Sequence, residues 1–115
     1  MTTAEFRRRA LRLPGAIESA HMDHPDFRVG GKIFATLGYP DDEHAVVLLP
    51  AEEQRRYLET APSAFTAVKG AWGKNGATQV RLAKVDKPTI EAALLIAWRK
   101  RAPKKLLDQM GGGSN

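Results

Sequence analysis

Two adjacent glycines, Gly30 and Gly31, separate two segments in which apolar and polar residues alternate. The segments are residues 26–29 (DFRV) and residues 32–37 (KIFATL). A period of two is typical of a strand with one buried face. A two-glycine turn joins antiparallel neighbours because glycine adopts a positive φ at little steric cost. The sequence therefore predicts an antiparallel β-hairpin with its turn at the two glycines.

This hairpin is expected to form the centre of a four-stranded meander. The two-residue period begins near residue 19, and the apolar segment HAVVLL at residues 44–49 predicts the most buried strand. The connections are too short for parallel crossovers, so the strands are predicted to be antiparallel. In the strand at residues 32–37, the alternation assigns Ile33, Ala35 and Leu37 to one face and Phe34 and Thr36 to the other.

Helices are predicted before and after the meander. The first begins with a capping box of Thr2 and Glu5. A short helix is expected at residues 51–59, a longer one after an Asp86 cap, and a final turn or two at residues 104–110. The apolar stripes of the first and the longer helix are Phe6, Ala10 and Leu13, and Ile90, Leu94, Ala97 and Trp98.

Two further strands are predicted at residues 65–69 and 77–82, and Asn75-Gly76 is the strongest hairpin-turn signal in the chain. The expected fold is an α+β domain of two layers, in which helices pack on one face of an antiparallel sheet. We place this single domain at residues 1–110, followed by a flexible tail, GGGSN, at residues 111–115.

Composition excludes several kinds of chemistry. The 115 residues contain no cysteine, which rules out disulfides, thiolate nucleophiles and Cys-ligated metals. No apolar run approaches the ~20 residues of a membrane span, and the N-terminal residues lack the apolar stretch of a signal peptide. We therefore expect a cytoplasmic protein, and we favour a monomer.

No catalytic motif is present. The sequence contains no G-x-S-x-G, no G-x-x-x-x-G-K-[ST] and no G-x-G-x-x-G that opens a helix. The segment HMDHPD at residues 21–26 combines two His with two Asp, but alternation along one strand would separate His21 and Asp23 from His24. We therefore predict no enzymatic activity, no cofactor and no bound metal.

The positive charge is concentrated near the C-terminus. The net charge is +5, whereas residues 69–115 alone carry ten cations against three carboxylates. Such a block favours an anionic partner, because DNA phosphates require only positive charge and donors at suitable spacing. The candidate phosphate contacts are Arg28, Lys32, Lys69, Lys74, Arg81, Arg99 and Lys104, and Trp72 is a candidate stacking or packing residue.

Several segments resemble the MmcQ/YjbR-like family. They are LPG at residues 13–15, FRVGGKIFA at residues 27–35, the WGKNG loop at residues 72–76 and VRL at residues 80–82. The resemblance covers about residues 3–107. It implies the frataxin-like (CyaY-like) sandwich fold and DNA binding by two wings, which are β-hairpin loops beside a helical element. It draws attention to Arg28, Lys32 and Trp72 in particular.

Three functional hypotheses follow, of which a metal-dependent activity is the weakest. The first is non-enzymatic DNA binding through phosphates with little sequence preference, although the acidic turn at residues 41–43 would repel phosphate if it were a wing. The alternative is a module that binds a protein or small molecule through the sheet face and the His21–Asp26 segment. A cleft lined by Phe27, Trp72 and His21 would favour this alternative.

Overall fold

The strands of the computed structural model, which describes residues 1–21 and 23–111, form one antiparallel sheet. They are β1 (Ile17–His21), β2 (His24–Val29), β3 (Lys32–Leu37), β4 (His44–Leu48), β5 (Phe65–Ala67) and β6 (Ala77–Arg81). Their spatial order is β1-β2-β3-β4-β6-β5. The predicted meander is therefore confirmed as β1–β4, and β6 separates β4 from the short edge strand β5.

The described helices lie before, between and after these strands. They are α1 (Thr3–Leu11), α2 (Ala51–Thr60), α3 (Ala71–Lys74), α4 (Lys87–Arg101) and α5 (Lys104–Gly111). Residues of α1, α2, α4 and α5 pack with one face of the sheet around the main core, where Trp98 and Phe6 are fully buried. The predicted α+β class is confirmed. Among the described helices, none is long and apolar enough to cross a membrane.

The helix caps follow the sequence closely. Both hydrogen bonds of the Thr2–Glu5 capping box are present at the start of α1. The carboxylate of Asp86 accepts the backbone N–H of Thr89 at 2.9 Å, which fixes the start of α4. Helix α5 extends one residue into the predicted tail, and residues 112–115 lie outside the described residues.

Strand β3 departs from the predicted alternation. Phe27 pairs with Ala35, but Arg28 pairs with Ile33, so Phe34 is an extra residue at this point of the ladder. A bulge of this kind reverses the order of faces along the strand. Phe34 therefore joins Ala35 in the main core, while Ile33 packs against a smaller cluster on the opposite face. The prediction that Ile33 and Ala35 share a face was wrong.

The connection between β5 and β6 also differs from the prediction. Asn75-Gly76 does not form a two-residue hairpin turn, because residues 68–76, including α3, join these antiparallel strands. Gly76 has φ +106°, and a Cβ at this position would lie 2.0 Å from the carbonyl oxygen of Leu49. The backbone N–H of Leu49 donates to the Gly76 carbonyl at 2.9 Å. Glycine is required here for the close approach of two backbones.

The chain reverses direction between His21 and His24, whose backbones are register partners. The prediction assumed one continuous strand through residues 21–26, and this was wrong because β1 ends at His21 and β2 begins at His24. Position 22 and the His21 side chain lie outside the described residues. Within the remainder, no group of three or more His, Asp or Glu side chains could hold a metal ion.

Candidate nucleic-acid interface

The antiparallel strands place their connections alternately at two ends of the sheet. One end carries the Gly30-Gly31 turn, the 68–76 connection and the junction between α4 and α5, and we call it the basic end. The opposite end carries the connection between β3 and β4, with the carboxylates of residues 41–43, and we call it the acidic end. The acidic turn and the glycine turn are thus separated by the full length of β3.

The glycine turn touches the helical part of the basic end. A Cβ on Gly30 would lie 3.0 Å from the Cδ atom of Pro103, which stands between α4 and α5. Helix α4 runs toward this end, and its last turn contains Arg99 among three consecutive cations. Cations are favourable there because the carbonyl end of a helix carries partial negative charge.

Six of the seven predicted phosphate contacts lie at the basic end. They are Arg28 and Lys32 on either side of the glycine turn, Lys69 and Lys74 in the 68–76 connection, and Arg99 and Lys104 on either side of the α4–α5 junction. The seventh, Arg81, ends β6 at the acidic end, where its register partner is His44. The fold therefore gathers residues that are remote in sequence and sets Arg81 apart from them.

Most of the gathered cations are available for a ligand. Lys32, Lys69, Lys74 and Arg99 are exposed, and no ion pair engages them within residues 1–21 and 23–111. Lys104 lies 3.4 Å from Asp108, but the two side chains are 89% and 64% exposed. Such an exposed pair contributes little to stability, so this lysine can exchange its partner for a phosphate.

Arg28 is engaged differently. Its Nε and Nη2 atoms donate to the carboxylate of Asp26 at 2.8 and 3.1 Å. The Asp26 residue is only 1% exposed, and this hydrogen bonding raises the pKa of Arg28. A buried carboxylate requires a charged partner, so most of the Arg28 charge is used within the protein. The sequence showed Asp26 only as a polar residue of an alternating strand and gave no sign of its burial.

Replacing Arg28 with alanine should lower the urea midpoint of unfolding, because Asp26 would remain buried without its charged partner. Equilibrium denaturation followed by circular dichroism measures the change. The double variant Asp26→Ala/Arg28→Ala should be more stable than Arg28→Ala alone, since it removes the uncompensated charge. Equal midpoints for these two variants would show that the ion pair is not the cause.

Trp72 combines packing with exposure. Its ring contacts that of Tyr39 in an edge-on arrangement, with centroids 5.7 Å apart and planes at 69°, and the two residues are 41% and 37% exposed. Trp72 follows β5 at the basic end, whereas Tyr39 follows β3 at the acidic end. The contact therefore joins connections that start from opposite ends of the sheet. The local sequence around Tyr39 gives no signal of this contact, because it is made between connections that are distant in the chain.

The cleft expected for the alternative function is not formed. Phe27 is fully buried in the main core, on the helix-covered face. Trp72 packs with Tyr39 instead. Phe27 and Trp72 therefore do not line a common cleft.

Comparison with curated proteins found no match, and comparison with solved structures found none. A family model described as YjbR matches residues 11–100. The matched range contains β1–β6 and nearly all of α4, together with both glycine-containing connections of the basic end. This match agrees with the resemblance noted in the FRVGGKIFA and VRL segments. The chain belongs to the YjbR family.

Proposed function

We propose that this protein binds DNA through the basic end and catalyses no reaction. The proposed phosphate contacts are Lys32, Lys69, Lys74, Arg99 and Lys104. The observation that carries the proposal is the convergence of these cations from three separate segments onto one end of the sheet. Contacts of this kind neutralise phosphates and read no bases, so the binding should show little sequence preference.

The spacing of the two strand connections suits a duplex. The glycine turn lies between β2 and β3, and the 68–76 connection lies between β6 and β5, which is three strand intervals away in the sheet. At roughly 4.8 Å per interval, the two connections are about 14 Å apart. The major groove of B-DNA is about 12 Å wide. The two connections can therefore contact the phosphate backbones that border one groove.

The position of the acidic turn removes the main objection to this function. Its carboxylates stand at the far end of the strands from Lys32 and Lys69. At physiological ionic strength, charges separated by more than about 8 Å are largely screened in solvent. Repulsion between residues 41–43 and a duplex at the basic end should therefore be weak.

A titration of duplex DNA at increasing salt concentration tests the proposal. If each of the five proposed contacts neutralises one phosphate, the affinity should fall with a log–log slope of about −4.5, because each contributes about −0.9. The variant Lys69→Gln/Lys74→Gln should reduce that slope by about 1.8. The matched control Lys84→Gln/Lys87→Gln removes the same charge away from the basic end, and its slope should stay near that of the unmodified protein.

Two results would overturn the proposal. One is an affinity that does not change with salt, and the other is an equal loss of slope in both double variants. The variant Arg81→Gln tests whether the interface is confined to the basic end or includes all seven residues predicted from the sequence. Its effect on DNA affinity should be much smaller than that of Lys74→Gln, because Arg81 lies at the opposite end of β6.

A further inference from the structure

A small polar pocket of about 140 Å³ lies at the acidic end, away from the proposed DNA interface. Its floor is formed by Thr66, Gln79 and Arg81 on neighbouring strands, and the segment around Ser63 forms one wall. Ala45 and Val80 point into the main core. Side chains alternate along a strand, so their neighbours His44 and Arg81 share the opposite face, where the pocket opens.

Several side chains that line the pocket are hydrogen-bond donors. Within the described part of the chain, no hydrogen bond or ion pair engages the side chains of the pocket residues Ser63, Thr66, Gln79 and Arg81. Two of these side chains are hydroxyls, one is an amide and one is a guanidinium. Guanidinium groups bind oxyanions through two parallel hydrogen bonds. The group as a whole suits a ligand with several acceptor oxygens.

His44 is held in one orientation at the rim of the pocket. Its Nδ1 atom lies 2.7 Å from a carboxylate oxygen of Asp41, and its side chain is 15% exposed. The same oxygen accepts the backbone N–H of Glu43 at 2.9 Å. Hydrogen bonding to His44 and to Glu43, with the nearby charge of Arg81, lowers the pKa of Asp41. The carboxylate therefore stays ionised and fixes Nδ1 as the protonated nitrogen. The Nε2 atom then presents a lone pair, which can accept the proton of a singly protonated phosphoryl oxygen.

We propose that His44 and Arg81, with Ser63, Thr66 and Gln79, form a binding site for the phosphoryl group of a phosphomonoester. The volume is below the ~300–1,000 Å³ of pockets that enclose larger ligands, so a single small group fits. A pocket of this size, lined by residues 62–64 beside the strands, suits a terminal phosphate and disfavours a phosphodiester, whose chain continues in both directions. The site does not depend on DNA binding at the basic end.

Titration of the ¹⁵N-labelled protein with inorganic phosphate tests the site. The backbone amides of Ala64 and Arg81 should shift in a saturable way. Arg81→Gln should weaken binding by about 10- to 100-fold, because hydrogen bonds to a charged group are lost. Gln79→Glu preserves the side-chain size but adds a carboxylate to the floor, and it should abolish binding. Lys84→Gln is the matched charge control and should bind as the unmodified protein does.

The source of the phosphoryl group can be identified with two oligonucleotides that differ only in a 5′-phosphate. If the phosphorylated form binds more tightly than the hydroxyl form and Arg81→Gln removes the difference, the site accepts a nucleic-acid end. If free phosphate binds and the two oligonucleotides bind equally, the site takes a small free phosphomonoester. The proposal is wrong if millimolar phosphate produces no saturable shift, or if Arg81→Gln and Lys84→Gln behave alike.

Discussion

Gly76→Ala is expected to lower the free energy of unfolding by roughly 3–5 kcal/mol, because it combines backbone strain with overpacking. At φ +106°, an alanine would be strained even in open space. The space is also occupied, since the new Cβ would lie 2.0 Å from the Leu49 carbonyl oxygen. The end of β4 and the start of β6 would have to separate, and the backbone hydrogen bond from Leu49 to Gly76 would be lost. Urea denaturation measures the effect.

Gly31→Ala is the matched control for this prediction. Gly31 also has a positive φ of +81°, but no atom lies within 4 Å of its hypothetical Cβ. The free energy of unfolding of this variant should fall by only about 1–2 kcal/mol, which is the conformational cost of a side chain at positive φ. If the free energy of unfolding falls equally in both variants, the close approach at Gly76 adds nothing to the cost of the positive φ. Our account of the 68–76 connection is then incorrect.

The two tryptophans should differ strongly when each is replaced by alanine. Trp98→Ala should destabilise the protein by roughly 3–5 kcal/mol, because it empties a large volume at the centre of the core. It also leaves the carbonyl oxygen of Pro14 without the indole N–H that donates to it at 2.9 Å. Trp72→Ala should lose about 1 kcal/mol or less, since that ring is partly exposed and packs edge-on against Tyr39.

Thermal and urea unfolding of both variants provide the comparison. Each variant retains one tryptophan, so its fluorescence reports on a single environment. The emission of Trp72→Ala should come from the buried Trp98, and that of Trp98→Ala from the exposed Trp72. A Trp72→Ala variant as unstable as Trp98→Ala would mean that the Tyr39–Trp72 contact is a main element of the fold.

Local patterns were sufficient to predict most of the secondary structure. The capping box at Thr2, the Asp86 cap and the Gly30-Gly31 turn each depend on residues within one turn of chain, and all three are present. The form of the β5–β6 connection was not predicted, because Gly76 is required there by its contact with the carbonyl oxygen of Leu49, which is distant in the sequence. A bulge in β3 was likewise not predictable, since it is determined by packing against both neighbouring strands.

The candidate site was predictable only in part. Local sequence identified the cations, because charge can be counted without a fold. Whether they converge depends on which connections share an end of the sheet, and this follows from topology. Arg28 illustrates the same limit, since only the folded chain shows that its guanidinium faces a buried carboxylate. The Asp41–His44 pair has the spacing i, i+3 in a turn, so this contact does have a local signal in the sequence.

The separation of carboxylates and lysines along the strands has a kinetic consequence. The carboxylates of residues 41–43 and the lysines of the basic end lie at opposite ends of the strands, so together they contribute a dipole moment along the strand direction. In the field of any polyanion, the dipole experiences a torque before contact. This torque turns the lysines toward the polyanion and the carboxylates away from it. Long-range fields of this type accelerate association and lose their influence as ionic strength rises. Reversing the charges at residues 41–43 would remove this dipole, so fewer encounters with a polyanion would begin with the lysines facing it.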